Sequence, residues 1–356
     1  MRRNNFWFAP FARLFGAIVK TRGALYEKSF LKSHRLNAKV VSVGNITVGG
    51  TGKTPLVAFV AKVLAENGEK VCVLTRGYKR KNPSARVVVS DGATVLSDAE
   101  NSGDEPFLLA KELLGIAAVI ADKNRVEAGN WAIEHLKITA FVLDDGFQHI
   151  KLKRDLDIVT IDAMNPFGNG KLLPQGVLRE PLESLKRADL IVLTRANLVQ
   201  SPKSKVQSFA DCPILLSQTR IRNLVELQNF HEPKTENRKP KTENRFLAFC
   251  ALGNPQNFYE SLEIEGFKLV GKINFQDHFV YSQSDVDKIE SPARKFGAEI
   301  LLTTAKDAVK LANMQFTIPC FVVEISIEFD DENVLRNMIF NAVSRFGSNK
   351  KFADLT

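Results

Sequence analysis

Residues 40–54 read Val40-Val41-Ser42-Val43-Gly44-Asn45-Ile46-Thr47-Val48-Gly49-Gly50-Thr51-Gly52-Lys53-Thr54. A short β-branched run ends in a glycine-rich turn, and an apolar helical period over Thr54–Glu66 starts directly behind it. Strand, glycine turn, helix is the context in which a Gly-Lys-Thr sequence holds phosphate. The glycines let backbone N–H groups approach an anion, and the helix start adds the positive end of its dipole. Lys53 then reaches the β- and γ-phosphates of a nucleotide, and the Thr54 hydroxyl ligates Mg2+. Gly49, Gly50, Thr51, Gly52, Lys53 and Thr54 are therefore the predicted nucleotide cradle. The full P-loop pattern would place glycine where Thr47 stands, and the glycines at 49, 50 and 52 partly compensate. A dinucleotide fold fits less well, because the next strand ends in Thr75-Arg76-Gly77 and not in the acidic residue that holds a ribose. A guanine-reading Asn-Lys-x-Asp is absent, which makes ATP the default nucleotide.

Outward from this motif, short apolar runs alternate with helical periods. Val40–Val43, Lys70–Thr75, Ile116–Ile120, Ala140–Leu143, Leu156–Ile161 and Leu190–Thr194 read as strands, with helices over Glu105–Leu114 and Arg125–Leu136. That alternation predicts an α/β fold: a P-loop NTPase-like, largely parallel sheet covered by helices. After Arg220 the texture changes. Pro233–Lys239 (PKTENRK) is followed at once by a second copy, Pro240–Arg245 (PKTENR), and a polar proline-led duplication predicts an exposed, flexible insertion. A second alternation follows, with strands near Phe246–Cys250, Phe267–Val270, Glu299–Thr303 and Phe321–Ile325. The expected organisation is an N-terminal segment over 1–38, a P-loop core over 39–219, a linker over 220–246 and a smaller α/β domain over 247–356.

A chain of 356 residues with 44% hydrophobic and 25% charged residues is long enough for two cored domains and excludes disorder as its main state. No apolar run approaches the roughly 18 to 20 residues that span a bilayer. Cys72, Cys212, Cys250 and Cys320 form no CxxC pair and read as reduced, buried thiols. The net charge of +9 is concentrated: before residue 39, Arg2, Arg3, Arg13, Lys20, Arg22, Lys28, Lys32 and Arg35 face only Glu27. Phe11, Leu14, Phe15, Ile18 and Val19 form one helical stripe there, preceded by Phe6, Trp7 and Phe8. A basic, aromatic, amphipathic helix predicts contact with an anionic membrane surface, and a core-packed helix is the alternative. Arg13 interrupts the apolar region that a signal peptide would need.

Phe141-Val142-Leu143 ends in Asp144-Asp145-Gly146-Phe147-Gln148-His149, a strand whose terminal carboxylates would sit beside the P-loop, where one of the pair can hold Mg2+; an Asp-Gly turn is the alternative, and it explains one aspartate but not the buried strand before it. Gly103-Asp104-Glu105-Pro106 opens a helix, where Asp104 alone would be read as an N-cap. Lys171–Pro181 (KLLPQGVLREP) carries Arg179 and Glu180 in a loop equally suited to solvent and to phosphate or metal contact. A lone His278, in Gln276-Asp277-His278-Phe279, is more often structural than catalytic.

Together, Val43-Gly44-Asn45 with Gly49–Thr54, Gly103–Pro106, Asp144–His149, Leu173-Pro174 with Leu178–Pro181, Asp277-His278 and Thr303–Asp307 resemble, in order, the motifs of the tetraacyldisaccharide 4′-kinases. The duplicated PKTENR and Ala308, where an aromatic is commoner, are the departures. The resemblance implies a kinase at the cytoplasmic face of the bacterial inner membrane. It would transfer the γ-phosphoryl group of ATP to the 4′-hydroxyl of a tetraacylated glucosamine disaccharide 1-phosphate, a lipid A precursor. It also implies Asp104 as general base, with His278 as its partner from the second domain, so that a cleft closes to assemble them. Asp144, Asp145 and Glu180 become metal candidates with Thr54. Glu105, Arg125, Gln148, His149 and Arg179 become candidates for contacts to substrate or phosphate. The expected cofactors are ATP and Mg2+, and the expected partners are an anionic membrane and the acylated disaccharide, with no nucleic acid and no obligate protein partner. Two rival classes remain. A membrane-bound regulatory or partitioning ATPase would share the P-loop and the amphipathic anchor, but it accounts for neither Gly103–Pro106 nor Asp277-His278. A nucleic-acid NTPase would spread its basic residues over a groove and not gather them before residue 39.

Overall fold

The structure, a computed structural model, describes residues 5–230 and 243–348 and divides into two units, 1–218 with 328–356 and 219–327. In the first unit the order is α1 (Ala9–Glu27), β1 (Lys39–Asn45), α2 (Lys53–Glu66), β2 (Val71–Thr75), β3 (Val87–Ser90), α3 (Ala99–Ser102), α4 (Asp104–Glu112) and β4 (Ala117–Ala121). It continues through α5 (Arg125–Leu136), β5 (Ala140–Asp144), β6 (Leu156–Asp162), β7 (Leu190–Thr194) and β8 (Ile214–Glu226), the strand in which the chain leaves this unit. The second unit holds β9 (Arg245–Cys250), α6 (Pro255–Ile264), β10 (Lys268–Asn274), α7 (Gln283–Phe296), β11 (Ile300–Thr304), α8 (Ala305–Leu311) and most of β12 (Cys320–Phe329). The chain then returns to the first unit as α9 (Glu332–Ser348).

The sheet of the first unit runs β8-β7-β6-β1-β5-β2-β4-β3. Its pairings are parallel except that of β3 with β4. Continuous apolar sequence follows from this, since strands such as β2, β4, β5 and β7 are buried along their whole length. On one face, Val40, Cys72, Leu74, Ala118, Ile120, Phe141 and Leu143 meet Val126, Ala128 and Ala132 of α5. Period-two alternation turns Val41, Val73 and Val142 to the other face, where α2 crosses β1, β2 and β5. Because the strands run parallel, Asn45, Thr75, Asp144, Asp162 and Thr194 all end at one edge, and the loops leaving that edge carry the site. In the second unit β10-β9-β11-β12 are likewise parallel. Phe246, Ala248, Cys250, Leu302 and Phe321 form the core on one face, and Leu247, Phe249, Leu301 and Val322 on the other.

The expected domain limits are corrected in two places. Residues 220–230, expected as linker, are the end of β8 and a short 3-10 turn. Residues 328–348, expected in the smaller domain, belong to the first unit, where α9 lies against α2, β1 and β6. The strand was hidden because Gln218-Thr219-Arg220-Ile221-Arg222-Asn223 is polar and half-buried, without the apolar run that marks its neighbours. Most of the duplicated PKTENR segment lies outside the described residues; its last residues bind the second unit, with Asn244 Nδ2 donating to Glu299 and Arg245 opening β9.

Helix α1 buries a face of small residues. Ala12 and Gly16 are its buried residues, and a Cβ on Gly16 would come within 2.7 Å of Leu172 Cδ1. The small-residue face therefore lies on the loop that begins at Lys171, and Phe15 and Val19 sit half-buried beside it. Trp7, Phe11, Leu14 and Ile18 point away, at 87%, 61%, 61% and 58% exposure. Among the described residues no helix is long and apolar enough to cross a membrane. The four cysteines are free thiols; Cys72, Cys250 and Cys320 are buried and Cys212 is half-buried.

Phe141 is fully buried at the centre of the parallel sheet, between β1 and β2. Phe141→Ala should cost about 3–5 kcal/mol of stability. Chemical denaturation would report this as a lower midpoint; an unchanged midpoint would mean the sheet centre is not the core described.

Candidate active site

The glycine turn is held from both sides by side chains of neighbouring strands. Asn45 Nδ2 donates to Thr51 Oγ1 at 3.1 Å, Thr51 and Thr160 share a hydroxyl hydrogen bond of 2.8 Å, and Thr160 donates to the Gly44 carbonyl. Gly52 is left-handed, with φ 73°, and a Cβ there would meet Thr194 at 3.3 Å. It occupies the N-cap position of α2 and supplies no side-chain acceptor, so the first N–H groups of the helix point into the turn without a side-chain cap. Lys53 and Thr54 follow in the first turn of α2.

The loop after the β5 carboxylates is drawn close to β1. The Gly146 N–H donates to the Val43 carbonyl, and a Cβ on Gly146 would stand 2.5 Å from Ser42 Oγ, so only glycine fits this approach. Asp145, at φ 52°, turns its carboxylate to Lys53 Nζ at 3.3 Å and accepts from Arg179 Nη1 at 2.8 Å on both oxygens. Arg179 reaches it because its own N–H donates to the Ile46 carbonyl at 2.7 Å and Val48 N–H donates to the Val177 carbonyl at 2.8 Å, pairing this loop with the approach to the glycine turn. Gln148 sits between them, its Nε2 donating to the Asn45 carbonyl at 2.9 Å.

The two aspartates differ in charge environment. Burial raises Asp144 above the ordinary carboxylate range, Lys53 opposes the rise, and the charges of Asp145 and Glu105 add to it. Asp144 accepts the Thr75 hydroxyl at 2.9 Å. For Asp145 burial also acts upward, but Lys53 and Arg179 outweigh it and hold the carboxyl below its ordinary value. Arg125, buried and lowered mainly by desolvation, donates Nη2 to the Asp144 carbonyl at 3.0 Å. The two carboxylates thus form one basic-lined cluster with Lys53, Arg125, Arg179 and Gln148.

The other predicted residues lie on neighbouring elements. Gly103, not Asp104, occupies the N-cap position of α4, at φ 95°, so the capping reading of Asp104 does not hold; Asp104 and Glu105 form the first turn of the helix. Glu180, buried, accepts from Arg187 Nη2 at 2.8 Å, and the same guanidinium lies 4.5 Å over the Phe147 ring. His149 is pushed down to about 4, first by burial and then by Arg125, Arg154, Arg22 and Lys151. In the second unit His278, at φ 63°, lies in the turn after β10, with Lys306 Nζ at 3.4 Å from its Nε2. Sequence reasoning missed Thr75, Arg187 and Thr160, and with them the hydrogen bonds by which Asn45 and Thr160 hold the predicted Thr51. The signal for Thr75 and Thr160 was a hydroxyl at or near the C-terminal end of a strand flanking β5 or β1, visible only once strand order is known.

An oxygen donor set of the Thr54 hydroxyl and the Asp144 and Asp145 carboxylates suits Mg2+, which takes one or two carboxylates and completes its shell with phosphate oxygens and water. Among the described residues no group of three or more His, Cys, Asp or Glu side chains could hold a metal ion.

A family model for the tetraacyldisaccharide-1-P 4′-kinases matches residues 4–344. The chain is 40% identical over 306 residues to a tetraacyldisaccharide 4′-kinase of Pelobacter propionicus, covering 86% of this chain and 83% of that protein. It is 36% identical over 332 residues to that of Desulfotalea psychrophila, covering 90% and 93%. A crystal structure of LpxK from Aquifex aeolicus in complex with ATP superposes with a TM-score of 0.77 at 34% identity, covering 95% of this chain and 99% of that one.

The position of His149 gives a pH dependence of stability. Its folded value of about 4 lies below the unfolded 6.5, so the unfolded chain binds the extra proton between them. Its contribution is complete above about 6.5 and is lost as pH falls toward about 4. Denaturation midpoints followed from pH 7 to 4 should fall more steeply for wild type than for His149→Gln; parallel curves would refute the assignment.

Proposed function

The chain belongs to the tetraacyldisaccharide-1-P 4′-kinase family, and on that premise we propose how its residues divide the reaction. The protein is an ATP-dependent kinase that transfers the γ-phosphoryl group to the 4′-hydroxyl of a tetraacyl-disaccharide 1-phosphate, in lipid A biosynthesis. The relatives reported above carry that activity in their names, which sets aside the regulatory ATPase.

The observation that carries the site reading is the Lys53–Asp145–Arg179 arrangement beside the uncapped start of α2. We assign the glycine turn and Lys53 to the ATP phosphates, with Lys53 and Arg179 neutralising charge on the transferred group. Thr54 with Asp144 and Asp145 would hold Mg2+, which supplies further charge neutralisation at the phosphates when bound. Asp145, kept ionised by its two cations, is the better direct ligand. Asp144, raised by burial and spent on Thr75, is the better support.

Asp104 takes the proton of the 4′-hydroxyl late in transfer, as the O4′–P bond forms and the bond from the γ-phosphorus to the bridging oxygen breaks, leaving ADP. It lies in the first turn of α4, where the helix dipole favours negative charge. His278, from the other unit, is assigned as its partner. Glu105, Arg125, Gln148 and His149 are assigned to substrate or phosphate contacts, and Glu180, through Arg187 and Phe147, to holding the loop that presents Arg179.

We further assign the outward face of α1 to an anionic membrane surface at the cytoplasmic face of the inner membrane. Four acyl chains keep the substrate in the bilayer, so the enzyme must meet the headgroup there, and Trp7, Phe11, Leu14 and Ile18 offer an unburied apolar stripe with Arg13 and Lys20 on the remaining exposed surface.

Transfer of labelled γ-phosphate to a tetraacyl-disaccharide 1-phosphate in mixed micelles tests the assignment. Asp104→Ala and His278→Ala should each lower kcat by about 10²–10⁴-fold while leaving nucleotide binding intact. Wild type that hydrolyses ATP but never labels the lipid would overturn it. Separately, the triple change Phe11→Ser, Leu14→Ser, Ile18→Ser should reduce co-sedimentation with anionic vesicles without altering ATP binding. Unchanged sedimentation would remove the membrane role of α1.

A further inference from the structure

The segment Thr303-Thr304-Ala305-Lys306-Asp307 closes β11 and opens α8, yet it has no part in the chemistry above. Asp307 is fully buried and organises it. Its carboxylate accepts from the Thr304 hydroxyl at 2.6 Å, the Tyr281 hydroxyl at 3.0 Å and the Ala251 N–H at 3.1 and 3.2 Å, while Thr304 Oγ1 accepts the Asp307 N–H. The end of β9, the end of β11 and the segment before α7 are thereby fixed to one point, and the first turn of α8 has one orientation. Lys306, the second residue of that helix, is aimed by it at the turn that holds His278. Its Nζ lies 3.4 Å from His278 Nε2 and 3.7 Å from Asp277 Oδ1. Both Lys306 and His278 are about five-sixths buried, their side chains 15% and 16% exposed. The ring has little freedom of its own, since His278 is left-handed and its turn is closed by Phe279 N–H to the Gln276 carbonyl at 2.9 Å.

We propose that Lys306 is a positioning residue that sets the tautomer of His278. An ammonium has donors only, so the ring nitrogen it meets can only accept. Nε2 therefore carries no proton, and the neutral ring keeps its N–H on Nδ1. Protonating the ring would also set two cations 3.4 Å apart; the Asp277 carboxylate, 3.9 Å from Nε2, offsets part of that repulsion. The inference rests on the reading of His278 as the partner of Asp104. A ring with its donor on Nδ1 can hold a carboxylate oxygen through that N–H, whereas the other tautomer would present it with a lone pair.

The test uses the full chain with 15N-labelled histidine, correlating the ring nitrogens with the carbon-bound ring protons and assigning His278 by its loss in His278→Ala. Wild type should show the Nδ1–H form, and Lys306→Met should show a mixture or the Nε2–H form. Lys306→Met should lower kcat at least about tenfold, within the roughly 10⁴-fold that a wrong tautomer can cost, with little change in KM for ATP. Lys306→Arg should recover part of that loss, and Lys306→Met should add nothing in the His278→Ala background. An Nε2–H form in wild type, or the same tautomer with and without Lys306, would overturn the proposal. So would an undiminished effect of Lys306→Met in the His278→Ala background, which would place Lys306 on the substrate itself. If His278→Ala alone leaves turnover intact, the Asp104 partnership fails, and the ring spectra still decide the tautomer.

Discussion

Helix α2 begins on a glycine that brings no acceptor to its first N–H groups, and the surrounding structure serves that omission. A side-chain cap there would stabilise the helix by about 1 kcal/mol. Forgoing it leaves the donors directed into the turn, with Lys53 one residue on. Keeping the turn open without a ligand then falls to neighbouring strands, which is why Asn45 and Thr160, at or near strand ends, and Thr51, in the turn, are buried and hydrogen-bonded to one another. The loop carrying Arg179 pairs with the approach to the turn through two backbone hydrogen bonds, so the guanidinium and the turn are positioned by the same contacts.

Helix α1 is joined to this centre more closely than an anchor needs to be. Gly16 lies on Leu172, in the loop that leads to Arg179, and Arg22 Nη2 donates to the Gln148 carbonyl, in the loop that follows the two aspartates. A helix whose outer face meets lipid and whose inner face touches both site loops would present the site at the height of the headgroups. The small residues at 12 and 16 make that close seating available, and bulkier ones would lift the helix from the loops.

The fold was legible wherever strands are buried on both faces, because Ala140–Leu143 and Leu190–Leu193 are uninterrupted apolar runs and Val40–Val43 is broken only by Ser42. It was illegible in β8, whose middle, from Ser217 to Asn223, is polar but for Ile221, and in the return of α9, since no local pattern reveals which sheet a distant helix will cover. The phosphate turn could be read because its spelling and its local context coincide. The amphipathic period of α1 was visible, but which face is buried depends on Ala12 and Gly16, residues that hydrophobic spacing ignores. Arg187 had no local signal, and that of Thr75 emerges only with the strand order, since each acts on partners brought near by tertiary structure.

Each unit places a buried aspartate next to a residue that meets a charged or ionisable partner. Asp144 accepts a hydroxyl inside the sheet and is raised by burial, while the next residue, Asp145, is turned out to two cations and kept ionised. Asp307, also raised by burial, gathers two hydroxyls and a backbone N–H, while Lys306 immediately before it meets His278. Adjacent positions at the end of a strand or the start of a helix point in different directions, so one side chain can be fixed inside while its neighbour is held at a set height outside. The aspartate held inside contributes precision, and its neighbour contributes charge to the groups it meets. Exchanging them would turn that charge away from those groups and leave the inner hydrogen bonds unmade, which is why removing either aspartate's hydrogen-bond partner should disturb the residue next to it.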